Sequence, residues 1–219
     1  MEHSNKDIQR IRTMSFFVEA VQKIIEEEGI DAVTIRKVSK LAGYNPATLY
    51  NYFDNIDYLV GFASIKYLKD YHQSLKDEVE ILKDPEERFL GIWRKFCFYS
   101  FEKPKIYQAL FFKTPRYSLC DFFDFYFKMF PEELGEHTFD IQRMMQGCHI
   151  TSRNLYVLLP VLEQRNKEID TAKIHQINEL MITVFRGKLS ECIEDQWSEA
   201  QRAKEVDKTV GYMKALLDL

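Results

Sequence analysis

Glycine and proline are scarce in this sequence, at 8 and 6 of 219 residues, and no stretch alternates polar and apolar residues as a half-buried strand would. The long segments between these few breaks carry apolar residues at helical spacing, which predicts an all-α protein. No apolar run approaches the roughly 18 residues that span a bilayer, and the start MEHSNKDIQRIR has no apolar signal-peptide core behind its charges. A cytoplasmic protein is expected. Cys97, Cys120, Cys148 and Cys192 lack paired spacing and have no histidine at ligand distance, so they read as core thiols and not as a zinc site or a disulfide framework. His72, His149 and His175 stand alone on helices. There is no phosphate-binding glycine loop, no HExxH and no nucleophile elbow. The adjacent carboxylates Glu86-Glu87 and Glu132-Glu133 fall at helix starts, where the helix dipole accounts for them. An enzyme is not expected, and neither a cofactor nor a metal is implied. Excess positive charge is missing too: a formal net charge of −4 argues against non-specific coating of nucleic acid, but a few well placed cations would suffice for local contacts.

What is present is a compact motif at Thr34 to Phe53, TIRKVSKLAGYNPATLYNYF. Thr34 can cap a helix whose apolar positions Ile35, Val38 and Leu41 with Ala42 recur at helical spacing, and Gly43 supplies the left-handed turn that ends it. Asn45 is a strong N-cap and Pro46 suits the first helical position, so a second helix starts two residues after the glycine. Helix, glycine turn and helix at this spacing describe a helix-turn-helix, whose second helix enters a DNA major groove.

Around the motif, a first helix is predicted from about Asp7 to Glu28, with Gly29 as its stop. Asp54 or Asn55 can cap a fourth helix of roughly 25 residues, or about 40 Å, ending near Lys83. Asp84-Pro85-Glu86-Glu87 is a helix start, and that helix runs to about Glu102. From Phe89 to Phe130 aromatic residues are dense and interrupted by Pro104 and Pro115. Such rings suit either a packed helical core or the wall of a cavity for an apolar ligand. A helix from Asp140 bent at Pro160, a helix after Asp170 whose spacing of three and four suits a helix pair, and a last amphipathic helix from Ser198 to Leu219 complete the chain.

The run from Gly29 to Thr34, then Ile35, Val38, Ala42-Gly43, Thr48-Leu49-Tyr50-Asn51-Tyr52-Phe53 and Leu59, resembles the N-terminal domain of the TetR family of bacterial transcriptional regulators, over about the first 60 residues. The resemblance implies a DNA-binding domain at residues 1–54 and a helical effector-binding and dimerisation domain at 55–219. It also implies a homodimer on a palindromic operator and a repressor released when a small molecule enters the body. The interface helices would be Asp140 to Arg165 and Asp170 to Gln196, with Leu155, Leu159, Ile177, Met181, Val184 and Lys188 facing the partner. Two positions depart from the family pattern: Ile56 stands where a lysine often meets a phosphate, and Tyr44 replaces a small aliphatic residue. Tyr44 could reach a phosphate with its hydroxyl or pack its ring on the first helix.

The recognition helix has no lysine or arginine, so its readers are neutral. Asn51 can pair with adenine, Thr48 can bond a base or a phosphate, and the Ala47 methyl can meet that of thymine. Arg36 is the charged candidate for guanine, Thr34, Lys37, Tyr50 and Tyr52 are candidate phosphate contacts, and Asn45 and Pro46 shape the approach. Arg10 and Arg12 can add contacts from the first helix, whereas Leu49, Val38 and Phe53 belong to the core. For a hydrophobic or aromatic effector the candidate wall is Tyr67, Trp93, Phe96, Tyr107, Phe111, Phe122, Tyr126 and Met144. The competing reading is a DNA-bound adaptor, controlled by a protein partner, whose aromatic region is filled.

Overall fold

The computed structural model describes residues 5–113, 123, 126–127, 129–130, 143–145, 147–165 and 170–219, and among them every regular element is a helix. Two compact units are present. The first takes its described residues from Met1–Tyr67 and Lys105–Leu134, the second from Leu68–Pro104 and Gly135–Leu219.

In the first unit α1 (Asn5–Glu28) buries Met14, Phe17, Val18, Val21, Ile24 and Ile25 against α2 (Ile35–Ala42) and α4 (Ile56–Ala63). The short α3 (Pro46–Tyr50) follows α2, and a 3-10 turn at Ile30–Ala32 joins α1 to α2. Gly29 ends α1 at φ +87°, a conformation that side chains with a Cβ resist. α7 (Pro104–Phe112) adds buried Ile106, Tyr107, Ala109 and Leu110, and the Lys105 ammonium pairs with Asp31. Tyr126 is fully buried, its ring 5.8 Å from that of Phe62. Gln22, itself buried, donates to the Tyr126 hydroxyl and to the Ala63 carbonyl, each at 3.3 Å.

The second unit holds α5 (Lys69–Ser74), α6 (Pro85–Glu102), α8 (Ile150–Gln164), α9 (Thr171–Glu194) and α10 (Glu199–Leu216). α6 packs against α8, α9 and α10, and Phe89, Trp93, Phe96 and Phe101 meet Leu158, Phe185, Met213 and Trp197 in its core. Inside that core runs a polar chain. Trp93 Nε1 donates to Asn154 Oδ1 at 3.0 Å, Asn154 Nδ2 to Asn178 Oδ1 at 2.8 Å, and Asn178 Nδ2 to the Thr151 carbonyl at 2.9 Å. Satisfied in this way, buried amides fix the register of three helices.

Three expectations need correction. The single helix predicted from Asn55 to Lys83 is broken: α4 gives way to a 3-10 stretch at Ser64–Leu68, α5 follows, and one π-helical turn spans Leu75–Val79. Ser64 and Ser74 bond back to the carbonyls of Val60 and Tyr71, competing with the helical ladder. The helix expected from Asp140 is interrupted: residues 143–145 are helical, residues 147–149 are not, and α8 begins at Ile150. Before it, the Arg153 guanidinium donates to the carbonyls of Met145 at 2.6 Å and Gly147 at 3.0 Å, and His149 and Ser152 form a reciprocal cap. A Cβ on Gly147 would lie 2.7 Å from Arg153 Cγ, so the approach requires glycine. Finally, Cys97 and Cys192 are buried thiols as expected, but Cys148 is disulfide-bonded. Burial pushes the Cys97 thiol well above its ordinary range and that of Cys192 to about 11, which makes both inert. Cys120, Phe122 and Glu132-Glu133 lie outside the described residues.

Candidate nucleic-acid interface

The expected helix boundaries of the motif are formed by the expected side chains. The Thr34 hydroxyl oxygen accepts from the Lys37 N–H at 3.3 Å and opens α2. Gly43 closes it at φ +78°, where its N–H bonds the Lys40 carbonyl and the Tyr44 N–H reaches back to Ser39 at 2.9 Å. Asn45 Oδ1 then accepts the Thr48 N–H at 2.9 Å and opens α3 on Pro46. Such caps stabilise a helix by about 1 kcal/mol each, a large share for two helices of eight and five residues. Val38, Leu49 and Phe53 are fully buried, as the spacing predicts, and the Phe17 ring meets Phe53 edge-on at 6.3 Å. Leu41 is instead 45% exposed, and Ser39 takes an inward place on α2.

With the core side so occupied, the outer side of the motif presents Thr34, Arg36, Lys37, Asn45, Pro46, Ala47, Tyr50 and Asn51, all exposed, with Thr48 and Tyr52 half-buried beside them. The sequence-predicted DNA contacts therefore lie on α2, α3 or the turns that flank them, except Arg10 and Arg12, which lie on α1. Tyr44 packs its half-buried ring on α1, 5.3 Å from Phe17 and 6.3 Å from Phe16.

Between residues 9 and 67 the cations divide into two groups. Lys23, Lys37 and Lys66 face the acidic end of α1, pairing with Glu27 at 3.9 Å, Glu28 at 2.6 Å and Glu26 at 2.8 Å. Arg10, Arg12, Arg36 and Lys40 have no carboxylate partner among the described residues. The Arg10 guanidinium lies over the Tyr52 ring, 5.7 Å from its centroid, a contact between α1 and the end of the motif that the sequence did not reveal. Linear spacing carries no signal for a stacking pair 42 residues apart.

The aromatic residues proposed as a wall divide between the units. The Tyr107 and Phe111 rings meet at a tilt, 6.0 Å apart, in the first unit, where Tyr67 and Tyr126 also lie. Burial, followed by the charge of Glu26, pushes the Tyr67 hydroxyl up to about 12. Trp93, Phe96 and the buried Met144 belong to the second unit, where Phe96 lies 4.8 Å and Trp93 5.7 Å from Phe185. A surface cleft of about 310 Å³ in that unit, bordered by Arg88, Phe89, Ile92, Arg143, Tyr156 and Leu159, includes none of the expected wall residues.

Of the residues expected to face a second copy, Leu155, Leu159, Val184 and Lys188 are partly exposed on α8 and α9. Ile177 and Met181 are not: both are fully buried within the chain, because α9 packs against α8, α10 and α6. Their spacing of three and four is an intrachain seam. Lys188 is also tied inward, with its ammonium 2.6 Å from Glu191, 3.1 Å from Glu205 and 5.9 Å from the centre of the Trp197 ring. Tyr156 and Leu180, 43% and 39% exposed, are the large apolar residues left on α8 and α9.

This is a helix-turn-helix head with a neutral reading helix, in a chain whose described elements are all helical. Residues 18–61 match the family model described as bacterial regulatory proteins, tetR family. Solved structures share the fold. RolR in complex with resorcinol is 15% identical with a TM-score of 0.60, covering 97% of this chain and 94% of its own. Thermus thermophilus FadR, a TetR-family transcriptional repressor in complex with lauroyl-CoA, is 13% identical with a TM-score of 0.60, covering 91% and 92%. A TetR transcriptional regulator from a Rhodococcus species is 14% identical with a TM-score of 0.52, covering 92% and 96%. Comparison with curated protein sequences found no match. Among the described residues, no helix is long and apolar enough to cross a membrane, and no group of three or more His, Cys, Asp or Glu residues could hold a metal ion.

Proposed function

We propose that this protein is a homodimeric transcriptional repressor that leaves a palindromic operator when a hydrophobic or aromatic small molecule binds its helical body. The observation that carries the reading is the capped helix-turn-helix within the matched segment, with Arg36, Thr48 and Asn51 outward and Val38, Leu49 and Phe53 inward. Residues 1–54 hold the DNA contacts and residues 55–219 the effector and dimer functions, although α4 packs with the head. Leu155, Leu159 and Val184, joined by Tyr156 and Leu180, form the dimer face. The effector class is supported by the aromatic density and by two proteins of the same fold, which bind resorcinol and lauroyl-CoA. A ligand can release DNA only by binding one spacing of the two heads better than the other.

A second reading is favoured by one observation. Trp93, Phe96 and Phe185 pack ring to ring, and Tyr107 and Tyr126 are fully buried, as they would be in the filled core of an adaptor controlled by a protein partner. One experiment separates the two: thermal unfolding and operator binding of the dimer against a panel of fatty acids, acyl thioesters and phenols. A compound that raises Tm and releases the operator supports the repressor. Stabilisation only by strongly polar metabolites contradicts the hydrophobic effector, and stabilisation by none of the compounds supports the adaptor.

A further inference from the structure

We infer that Asn45 and Thr48 read one adenine in the operator as a single unit, with Asn45 supplying the donor and Thr48 the acceptor. The inference rests on the DNA-binding reading above and goes beyond it in assigning a base. It follows from the direction of two hydrogen bonds. Asn45 Oδ1 accepts the backbone N–H of Thr48 at 2.9 Å, which identifies that atom as the amide oxygen. The Thr48 hydroxyl lies 3.1 Å from the same oxygen. An amide oxygen has no proton to give, so the hydroxyl donates its only proton there.

Two consequences follow for the groups left outward. Thr48 Oγ1 has lone pairs but no free proton, so it can only accept. Asn45 Oδ1 has both lone pairs engaged, so the Asn45 side chain can only donate, through Nδ2, which has no partner among the described residues. The usual pairing in which one asparagine both donates to and accepts from adenine is therefore closed to Asn45. Together, however, the two side chains present one donor and one acceptor. Within a single base, only adenine offers the complement in the major groove, an acceptor at N7 beside a donor at N6; in a G·C pair the adjacent acceptor and donor lie on two different bases. Guanine offers two acceptors, thymine an acceptor and a methyl, and cytosine a donor alone. A phosphate, which has only acceptor oxygens, cannot bond Thr48 in this state, and this separates the two roles that the sequence left open for it. Asn45 is exposed and Thr48 half-buried on the helix that a helix-turn-helix lays along base edges.

The test is binding-site selection from random duplexes with the full-length protein, followed by affinities on the selected operator. The expected wild-type result includes an adenine in each half-site that depends on Thr48. Thr48→Val, which keeps the shape and removes the hydroxyl, should lose preference at that position by roughly tenfold or more and keep it elsewhere. Replacing that adenine with purine, which lacks the 6-amino group, should weaken the wild type by a similar factor and leave Thr48→Val unchanged. Asn45→Gly, a substitution that a helix N-cap tolerates, frees the hydroxyl proton, so the position should come to accept guanine or thymine. Circular dichroism of both variants verifies that they fold. The inference is overturned if Thr48→Val weakens all sequences alike, if the position that responds to it is not adenine, or if the losses from Thr48→Val and from purine add. Failure of the wild type to select any sequence overturns the DNA-binding reading itself, and this inference with it.

Discussion

Lys37 and Arg36 are neighbours on the first turn of α2, yet the Lys37 ammonium is held 2.6 Å from Glu28, whereas Arg36 has no carboxylate partner among the described residues. Position alone gave both as DNA contacts, and their surroundings divide the work. A guanidinium without a competing acid can present its fork to guanine O6 and N7, while an ammonium that must leave Glu28 suits exchange onto a phosphate. Arg36→Ala should therefore relax preference at one base pair, at a cost of about 1–3 kcal/mol, and Lys37→Ala should weaken all sequences alike. Glu28→Gln should act in the opposite sense, tightening all sequences by no more than about 1 kcal/mol, because both partners of the pair are half exposed. Site selection with the three variants checks this, and the same loss of base preference in Arg36→Ala and Lys37→Ala would count against it.

At the scale of elements, the start of α6 shows how a single side chain sets a helix boundary and gives it a pH dependence. Asp84 Oδ1 accepts the Glu87 N–H at 2.9 Å, and its other oxygen accepts from Gln164 Nε2 at 2.6 Å. The bond from Gln164, then that from the Glu87 backbone, holds the carboxyl below its ordinary value of 3.8. A depressed carboxylate contributes stability fully above its unfolded value, and the contribution is lost as pH falls through the folded value. Urea unfolding across the acid range should show this loss in the wild type and a flatter profile in Asp84→Asn, which keeps a capping oxygen but does not titrate; parallel profiles would refute the assignment. Helix starts of this kind were legible because the cap is local. Thr34, Asn45 and Asp84 cap where the sequence places them, Asn55 is the cap of the two residues offered before α4, and Asp170 and Ser198 cap the helices expected to start there. Interruptions were not legible, since they depend on groups brought together by folding: the turn before α8 is held by Arg153, whose guanidinium reaches carbonyls six and eight residues away. The inward turn of Ile177 and Met181 was hidden for the same reason, because a seam of three and four reads alike whether its partner is the same chain or a second copy.

Across the whole molecule the formal net charge of −4 sets the electrostatic character of any DNA complex, and the ion pairs sharpen it. Lys23, Lys37 and Lys66 meet Glu27, Glu28 and Glu26 at the end of α1, where carboxylates would otherwise oppose the helix dipole. The reading helix carries no cation, and Ile56 opens α4. Of the cations expected to meet phosphate, few are thus left to displace counterions: Arg10 over the Tyr52 ring, Arg12, and Lys37 once it leaves Glu28, since Arg36 is taken up by a base. Three phosphate-neutralising cations per head would give a dimer a slope of log affinity against log salt of about −5. Arg10→Ala should reduce that magnitude by about 2 for the dimer, and Arg10→Lys should restore it, because the slope counts charge and not ring stacking. A titration of operator affinity between low and physiological salt gives the number directly. A slope of about −9 or steeper, typical of ten or more neutralised phosphates, would mean that cations outside this group carry the binding, and that specificity does not rest chiefly on the neutral donors and acceptors of α3.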